Sequence, residues 1–243
     1  MSKQSDQVTP IVPNHLAVIC DGNRRWARNN KLEALKGHEY AVNKVFEPLI
    51  DHATERGIKY LTFWIFSTEN WQRDKLEVEG LMNLFRSFFT QQIEDLHKKG
   101  IRVNMIGNLD HFPKDIQQKI SEGMEKTRNN KAITVTLAMS YGGRDELTRA
   151  IKEIASEVAA GKLSADEITQ EIIGQHLDTA KTDIPDPDFV VRTSGEQRMS
   201  GFMLWQIEYA EFYFPNFHFP EFSPQKLDEV IEEFSKRKRR FGK

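Results

Sequence analysis

The stretch HLAVICDGNRRW occupies residues 15–26 and joins an apolar run to a polar turn without a break. Its first five residues, 15–19, predict a short strand that is buried on both faces. The Asp-Gly-Asn that follows predicts a turn directly after this strand. In α/β folds, ligands bind beyond the carboxyl ends of the strands, which is where this sequence places a carboxylate, a glycine and two arginines.

Strands and helices alternate along the rest of the chain. Apolar runs predict further strands over residues 58–66, 101–106, 133–140 and 189–192. Helical spacing and glycine stops predict helices over residues 37–56, 76–99, 114–128, 144–159, 165–176 and 224–238. This alternation predicts an α/β fold in which one domain, residues 15–243, has a mostly parallel central sheet surrounded by helices. Residues 1–14 are predicted to be a flexible N-terminal segment.

Polar clusters follow four of the predicted strands. They are Asp21 after the first strand, Ser67-Thr68-Glu69-Asn70 after the second, Tyr141-Gly142-Gly143-Arg144 after the fourth and Arg192-Thr193-Ser194-Gly195 after the fifth. Because the carboxyl ends of parallel strands share one edge of the sheet, we expect these clusters to lie along that edge.

Composition narrows the class of protein. The 243 residues carry a net charge of −2, which gives no bulk attraction to nucleic acid. The single Cys20 forms no intrachain disulfide, in keeping with a reducing compartment. Residues 1–14 lack the apolar core of a signal peptide, and no apolar run of about 18 residues occurs. A cytoplasmic protein without a membrane span is therefore expected.

The turn at residues 21–25 has the residue types of a diphosphate site. Gly22 lets backbone N–H groups approach an anion, and Arg24 or Arg25 supplies a guanidinium that grips phosphate oxygens in two places. Asp21 would repel a diphosphate unless Mg²⁺ lies between them, and proteins hold Mg²⁺ through one or two carboxylates plus substrate phosphates. The alternative interpretation is a turn with surface arginines.

A second anion-binding segment is predicted at residues 192–200. Arg192 and Arg198 supply fixed positive charges and Ser200 a hydroxyl group, although a basic surface loop has the same composition. Two such segments suggest two diphosphates or one long nucleotide, but neither GxxxxGK[ST] nor GxGxxG occurs. Aromatic residues in the strand 58–66 and the helix 76–99 favour a plain core, and they also suit a tunnel for an apolar chain. The basic run at residues 236–240 fits a solvated helix end or an anion contact.

Together these segments resemble one family, the cis-prenyltransferases (undecaprenyl diphosphate synthase and its relatives). The matching segments are HLAVICDGNRRWA from residue 15, Gly37-His38, FSTENWQR at residues 66–73, YGGRDEL at residues 141–147, RTSGEQRMSGFMLWQIEYAEFYF at residues 192–214 and RRFG at residues 239–242. The resemblance covers nearly the whole chain. It implies a homodimer with a hydrophobic tunnel between sheet and helices. The implied reaction is a Mg²⁺-dependent condensation of isopentenyl diphosphate with an allylic diphosphate, such as farnesyl diphosphate, to a Z-polyprenyl diphosphate.

The resemblance also implies a role for each matching residue. Asp21 would hold Mg²⁺ and act in catalysis with Asn70, while Glu211 would reach across the dimer towards the metal. The implied contacts of the allylic substrate and the reacting groups are Gly22, Asn23, Arg24, Arg25, Trp26, His38, Ser67, Thr68, Glu69, Trp71 and Arg73. Isopentenyl diphosphate would be bound by Arg192, Arg198 and Ser200, and Arg240 and Gly242 would complete the neighbouring subunit's site. Glu77 would belong to a mobile loop that closes on substrate, and the proton acceptor stays open.

The sequence departs from the family pattern near the allylic site. Ala34 stands where an arginine is usual, so one diphosphate contact is missing or comes from Lys31 or Lys36. Ile65 and Val42 are larger than the usual residues and are expected to narrow the tunnel. The product is therefore undecaprenyl diphosphate, the cell-wall lipid carrier precursor, or a shorter Z-prenyl diphosphate. A long apolar product implies loose contact with a membrane.

Two other classes of protein remain as alternatives. A non-catalytic partner subunit of this fold typically lacks the Asp loop and the Ser-Thr-Glu-Asn-Trp segment, and both are intact here. A phosphate-binding hydrolase or regulatory module needs a nucleophile or metal cluster, and the sequence has neither a Cys/His cluster nor HExxH.

Overall fold

Six parallel strands form one sheet in the computed structural model, which describes residues 10–237. The strands are β1 (His15–Ile19), β2 (Tyr60–Ser67), β3 (Arg102–Ile106), β4 (Thr134–Tyr141), β5 (Phe189–Arg192) and β6 (Glu211–Tyr213). Their order is β3-β4-β2-β1-β5-β6, and every neighbouring pair is parallel. The predicted α/β fold with a mostly parallel sheet is confirmed.

The helices follow the predicted alternation. They are α1 (Asn23–Asn29), α2 (Ala34–Tyr40), α3 (Phe46–Glu55), α4 (Lys75–Lys98), α5 (Lys114–Thr127), α6 (Gly143–Ala159), α7 (Gln170–Gln175), α8 (Asp178–Lys181) and α9 (Pro224–Ser235). A π-helical segment, Ala41–Val45, joins α2 to α3, so the helix predicted over residues 37–56 is continuous but begins at Ala34. No helix within residues 10–237 has both the length and the apolarity needed to cross a membrane.

β1 lies in the interior of the sheet, and all five of its residues are buried. Side chains of a strand alternate between the two faces. Leu16 and Val18 join the larger core cluster, to which α3, α4 and α9 contribute, whereas Ile19 joins a smaller cluster with Trp64 and Phe202. A strand covered on both faces has no polar alternation, which is why residues 15–19 were recognisable as a short apolar run.

The strand order reverses next to β1. β2 pairs with one edge of β1 and β5 with the other, and Ile19 lies opposite Arg192 in the register. Ligands of open parallel sheets bind where the order reverses in this way, just beyond the carboxyl ends of the strands. The residues that follow β1 and those at the end of β5 therefore meet in one crevice.

Several parts of the fold differ from the sequence expectations. The helix predicted over residues 165–176 is a 3₁₀ turn, Ala165–Glu167, followed by the shorter α7. Residues 23–29, of which the first three were taken as part of a turn, form α1, so the turn between β1 and α1 is shorter than predicted and ends at Gly22. The three-residue β6 was not predicted, because so short a strand carries too little periodicity. The Asn14 carbonyl oxygen accepts hydrogen bonds from the N–H groups of Lys59 (3.1 Å) and Tyr60 (3.0 Å), so this end of the predicted flexible segment is part of the fold.

α1 and α2 pack closely because Gly37 has no side chain. A Cβ at Gly37 would lie 2.0 Å from the carbonyl oxygen of Asn23, far inside van der Waals contact. That oxygen belongs to the backbone and cannot swing aside as a side chain does. The contact therefore fixes the position of α1, which carries Arg24 and Arg25.

We predict that Gly37→Ala lowers the free energy of unfolding by about 1–3 kcal/mol, the usual cost of overpacking a tight contact. Gly174→Ala in α7 is the matched control, because its nearest neighbour, Nε1 of Trp205, lies 4.0 Å from the added Cβ. This control should leave stability unchanged or raise it by up to about 1 kcal/mol, since alanine is the better helix former. Urea denaturation measures both, and equal stabilities of the two variants would contradict the assigned packing.

Candidate active site

Asp21, two residues beyond β1, is held by two arginines. Its Oδ2 accepts hydrogen bonds from Nη2 (2.8 Å) and Nε (3.2 Å) of Arg192, and its Oδ1 accepts one from Nη2 of Arg25 (3.1 Å). Burial by itself raises the pKa of the Asp21 carboxyl, but the hydrogen bonds and positive charges of Arg192 and Arg25 outweigh it and lower the pKa below its usual value. Asp21 is therefore an ionised carboxylate at neutral pH.

The backbone of the turn at Asp21 is also fixed. The carbonyl oxygen of Asp21 accepts hydrogen bonds from Oγ1 of Thr193 (2.6 Å), the N–H of Phe219 (3.0 Å) and Oγ of Ser194 (3.2 Å). Gly22 follows with φ of +100°, a left-handed conformation that favours glycine. A Cβ at Gly22 would lie 2.0 Å from Oγ of Ser194, so the turn and the residues after β5 touch directly.

Arg192 joins the two predicted anion-binding segments. Besides its contact with Asp21, its Nη1 donates to Oγ of Ser200 (2.8 Å) and to the backbone carbonyl oxygen of Arg198. Only 6% of its side chain is exposed, so the guanidinium is a buried charge with fixed partners. The residues predicted to bind two different anions thus form one continuous site.

Glu196 makes a second link between these segments, and the sequence analysis missed it. Its carboxylate accepts a hydrogen bond from Nη1 of Arg25 (2.9 Å) and pairs with Arg198. Its place in the charged loop between Arg192 and Arg198 was a usable signal. Glu196 holds Arg25 and Arg198 in position from the side opposite Asp21.

A polar cavity of about 310 Å³ opens beside Asp21. It is lined by Cys20, Asp21, Gly22, Asn23, Arg24, Arg25, Arg28, His38 and Arg73. Four arginines against one aspartate give the lining a net positive charge, which suits a multiply charged anion. Arg28 was not predicted, although it follows Arg24 by four residues and so shares its face of α1.

Glu77 offsets part of this positive charge. Its Oε1 lies 3.0 Å from Nη1 of Arg73 and 3.8 Å from Nε of Arg24. The family resemblance implied that Glu77 belongs to a mobile loop, but Glu77 lies in the first turn of α4. The helix begins this early because Oδ1 of Asp74 caps it, accepting a hydrogen bond from the N–H of Leu76 (2.9 Å).

His38 lies where the polar cavity meets the apolar interior. Its Nε2 is buried and has no hydrogen-bond partner within the described structure. Desolvation, reinforced by the positive charges of Arg73 and Arg24, lowers the pKa of His38 to about 3. The ring is therefore a neutral imidazole at physiological pH, with one nitrogen free to bond to a ligand.

An apolar cavity continues inward from the polar one, and the two share Cys20, Asn23 and His38. Its other walls are Ala41, Val42, Phe46, Ile65, Leu81, Leu84, Phe85, Phe88, Phe89, Leu137 and Phe219. The phenylalanines of α4 are thus both core residues and the wall of a pocket. The free volume is only about 40 Å³, whereas an apolar cavity of about 150 Å³ holds one benzene ring. The walls must move apart before an apolar chain enters.

Several predicted residues lie outside both cavities. These are Trp26, Ser67, Thr68, Glu69, Asn70, Trp71, Glu77, Arg192, Arg198, Ser200 and Glu211. Trp26 packs against Tyr40 with the rings tilted by 35° and their centroids 4.6 Å apart, and Oδ1 of Asn70 accepts a hydrogen bond from the N–H of Ser67 (3.1 Å). Trp71 donates through Nε1 to Oγ of Ser140 (2.9 Å). These contacts order the segment after β2 beside the site.

Glu211 is distant from Asp21 within one chain. It lies opposite Phe189 in the register, and Phe189 lies opposite Leu16, so Glu211 is level with the start of β1 rather than its end. Asp21 follows Leu16 by five residues, so it lies roughly 16 Å further along the strand direction than Glu211. The remaining predicted residues, Arg240 and Gly242, lie outside the described residues.

The donor set fits a Mg²⁺ ion that is held mainly by substrate. Among residues 10–237 there is no group of three or more His, Cys, Asp or Glu side chains placed to hold a metal. Asp21 offers a single ionised carboxylate at the edge of a cavity that suits phosphate. Mg²⁺ is commonly held by one or two carboxylates together with substrate phosphates, so one carboxylate here is sufficient.

Known proteins are similar to this chain in sequence and in fold over nearly their whole length. The family model described as "Putative undecaprenyl diphosphate synthase" matches residues 19–242. The isoprenyl transferase of Clostridium perfringens is 42% identical, over 99% of this chain and 95% of its own. The isoprenyl transferase of Agrobacterium fabrum is 43% identical, over 95% of this chain and 92% of its own.

Two solved structures have a similar fold. Lavandulyl diphosphate synthase from Lavandula x intermedia, in complex with dimethylallyl diphosphate, superposes with a TM-score of 0.92 at 36% identity, covering 96% of this chain and 99% of that one. A probable undecaprenyl diphosphate synthase from Campylobacter jejuni superposes with a TM-score of 0.77 at 34% identity, covering 95% and 99%. With these matches over nearly its whole length, the chain belongs to the undecaprenyl diphosphate synthase family of cis-prenyltransferases.

Proposed function

We propose that this prenyltransferase elongates an allylic diphosphate with isopentenyl diphosphate, with the two diphosphates on either side of the Asp21–Arg192 pair. The observation that carries the proposal is the junction at His38. There a cavity rich in arginine meets an apolar cavity, and the buried Nε2 of His38 has no hydrogen-bond partner among residues 10–237. An allylic diphosphate has the matching division into a multiply charged head and an apolar tail.

The allylic substrate would place its diphosphate in the polar cavity. Arg24, Arg25 and Arg73 would bind its oxygens, and His38, being neutral, would donate through Nε2–H without adding charge. Ala34 stands where an arginine is usual, so one positive charge is missing from this region. Arg28, which lines the polar cavity, would supply it. The lavender relative, whose structure contains dimethylallyl diphosphate, supports a short allylic diphosphate as a ligand of this fold.

Isopentenyl diphosphate would bind on the other side of Asp21, at Arg192, Arg198 and Ser200. The guanidinium of Arg192 is already oriented by Asp21 and Ser200, so little conformational entropy is lost when a phosphate oxygen binds there. Holding both substrates in this way sets the distance between the carbons that react, and such positioning is worth up to about 7–11 kcal/mol.

The chemistry that we propose follows from this placement of charge. Mg²⁺, held by Asp21 and the phosphates, would supply Lewis-acid stabilisation of the leaving diphosphate. The arginines stabilise the negative charge that develops on the diphosphate as the allylic C–O bond breaks. The isopentenyl double bond attacks the allylic carbon as the C–O bond breaks, and a proton of the isopentenyl unit passes to a diphosphate oxygen, which forms the new double bond.

A product shorter than undecaprenyl diphosphate is the second part of the proposal. Val42 and Ile65, both larger than the residues usual at these positions, face the apolar cavity as partly buried wall residues. With about 40 Å³ free, each added C5 unit displaces side chains that are already close-packed. Chain growth should therefore stop early.

The functional unit that we propose is a homodimer. Glu211 lies too far from Asp21 to act on it within one chain, and β6, which carries it, is an edge strand. Leu204 and Tyr209 in the preceding loop are 40% and 61% exposed, an apolar surface that a second subunit would cover. We further propose a cytoplasmic enzyme that contacts membranes loosely through its product.

We predict that Asp21→Asn lowers the turnover number for condensation by about 10²-fold or more, since it removes the carboxylate charge but keeps the side chain's size. Asp95→Ala, on an exposed part of α4, is the control and should keep full activity. Diphosphate release from farnesyl and isopentenyl diphosphates with Mg²⁺ gives the rates, and thermal denaturation checks the fold. Full activity in a folded Asp21→Asn enzyme would refute the assignment.

We predict that His38 does not titrate in the free enzyme between pH 5 and pH 9. Its pKa of about 3 lies below the ordinary histidine value, so the ring stays neutral from pH 5 to pH 9. His38→Asn keeps a neutral donor, so its plot of kcat/KM against pH should have the wild-type shape, lowered about tenfold at every pH. An acid limb that is present in the wild type and absent from the variant would contradict this prediction.

We predict that farnesyl and labelled isopentenyl diphosphates give wild-type products shorter than C55. The double variant Val42→Ala, Ile65→Ala should lengthen them, because it enlarges the apolar cavity. Ile151→Ala, at a 60% exposed position on α6, should leave the distribution unchanged. Chromatography of the products gives the chain lengths, and a dominant C55 product from the wild type would overturn the prediction.

A further inference from the structure

His218 lies against the turn that carries Asp21, and neither a sequence motif nor the predicted site includes it. Its Nδ1 is 2.7 Å from Oγ of Ser194, and its Nε2 is 3.5 Å from Nδ2 of Asn29. A Cβ at Gly22 would lie 2.7 Å from Nδ1, so the ring packs on the turn itself. His218 thus contacts α1, the turn after β1 and the loop after β5 together.

The direction of these hydrogen bonds follows from the atoms available. Ser194 has one hydroxyl hydrogen and two neighbours, the Asp21 carbonyl oxygen at 3.2 Å and Nδ1 of His218 at 2.7 Å. A carbonyl oxygen only accepts, so when the Ser194 hydroxyl donates to Asp21 its oxygen accepts from Nδ1–H of His218, whereas the other tautomer would turn the hydroxyl towards the ring and away from Asp21. Nε2 of a neutral ring then accepts from Asn29.

The main chain around these hydrogen bonds is held in place. The N–H of His218 donates to Oε2 of Glu221 (2.7 Å), and the N–H of Ser194 donates to the carbonyl oxygen of Phe217 (2.8 Å). Ser194 itself has φ of +78°, a strained conformation for a residue with a side chain, which persists only where surrounding contacts impose it. The conformation of the loop therefore holds the hydroxyl of Ser194 next to the carbonyl oxygen of Asp21.

We propose that His218 is a positioning residue for Asp21 and acts through Ser194. The relay runs from Nδ1–H of His218 to Oγ of Ser194, and from Oγ–H of Ser194 to the carbonyl oxygen of Asp21. It fixes the turn from which the Asp21 carboxylate projects, a role that rests on the proposed function of Asp21. Loss of the ring donor frees the Ser194 hydroxyl to rotate and loosens the turn.

The kinetic test compares substitutions that keep or reverse the donor. His218→Asn places an N–H near the position of Nδ1–H and should retain kcat within about threefold of the wild type, whereas His218→Leu and His218→Asp should lower it about tenfold, the loss of one hydrogen bond. The KM for isopentenyl diphosphate should change less than twofold. His176→Leu, which removes a histidine with two hydrogen bonds at the end of α7, should have no effect.

A double substitution tests whether the effect passes through Ser194. In a Ser194→Ala background the relay is already broken, so adding His218→Leu should change kcat less than twofold. Full additivity of the two losses would show that His218 acts by another route and would overturn the proposal, as would equal rates for His218→Asn and His218→Asp.

The tautomer of His218 gives a readout that does not depend on activity. In ¹⁵N-detected spectra of the wild-type protein at pH 8.5, with the His218→Leu spectrum for assignment, the proton should lie on Nδ1. Finding it on Nε2 would refute the relay even if the enzyme is active. An inactive enzyme with the Nδ1–H tautomer would instead reject the proposed function and leave the relay standing.

Discussion

The ion pair between Asp21 and Arg192 is the contact on which the geometry of the site depends. It exists because β1 and β5 are neighbours in register, so that Arg192 at the end of β5 faces the residues just beyond Ile19. A guanidinium that is only 6% exposed needs a fixed anion, because an unpaired buried charge costs several kcal/mol. Asp21 therefore serves the fold and the proposed chemistry at once.

Two further carboxylates explain how so many cations lie together in this site. Glu196 satisfies Arg25 and Arg198, and Glu77 satisfies Arg24 and Arg73. Each carboxylate holds two guanidiniums near the place where a phosphate is proposed to bind. The arginines are thus oriented before any substrate arrives, and the protein's own carboxylates can be exchanged for phosphate oxygens. The site becomes apolar behind His38, a division that matches the charged head and apolar tail of the proposed substrate.

Much of this arrangement was predictable from the sequence, because it follows from periodicity and from the rule for parallel sheets. Two apolar runs, at residues 15–19 and 189–192, predicted the strands that flank the site, and the structure has the same bounds. Asp21 and Arg192 were predicted to lie at the same edge, and they touch. The phenylalanines of α4 were predicted as core, with a tunnel wall as the alternative, and they belong to the core and line the apolar cavity.

The rest depended on contacts that no local pattern encodes. Nothing near residue 218 indicates that its ring reaches Ser194, because the two are 24 residues apart and meet only when β5 and the 3₁₀ turn Phe219–Glu221 are in place. The start of α1 was read as turn because Asp-Gly-Asn is a turn signal, whereas its packing on Gly37 favours the helix. The family resemblance placed Glu77 in a loop, and a cap by Asp74 puts it in α4.

The most direct measurement of the central claim is a crystal structure with Mg²⁺, isopentenyl diphosphate and an unreactive thio analogue of an allylic diphosphate. Two diphosphates should be present, one in the cavity of Arg24, Arg25 and His38 and the other at Arg192, Arg198 and Ser200, with Asp21 between them. A single diphosphate spanning both segments, or an apolar tail bound anywhere other than behind His38, would contradict it.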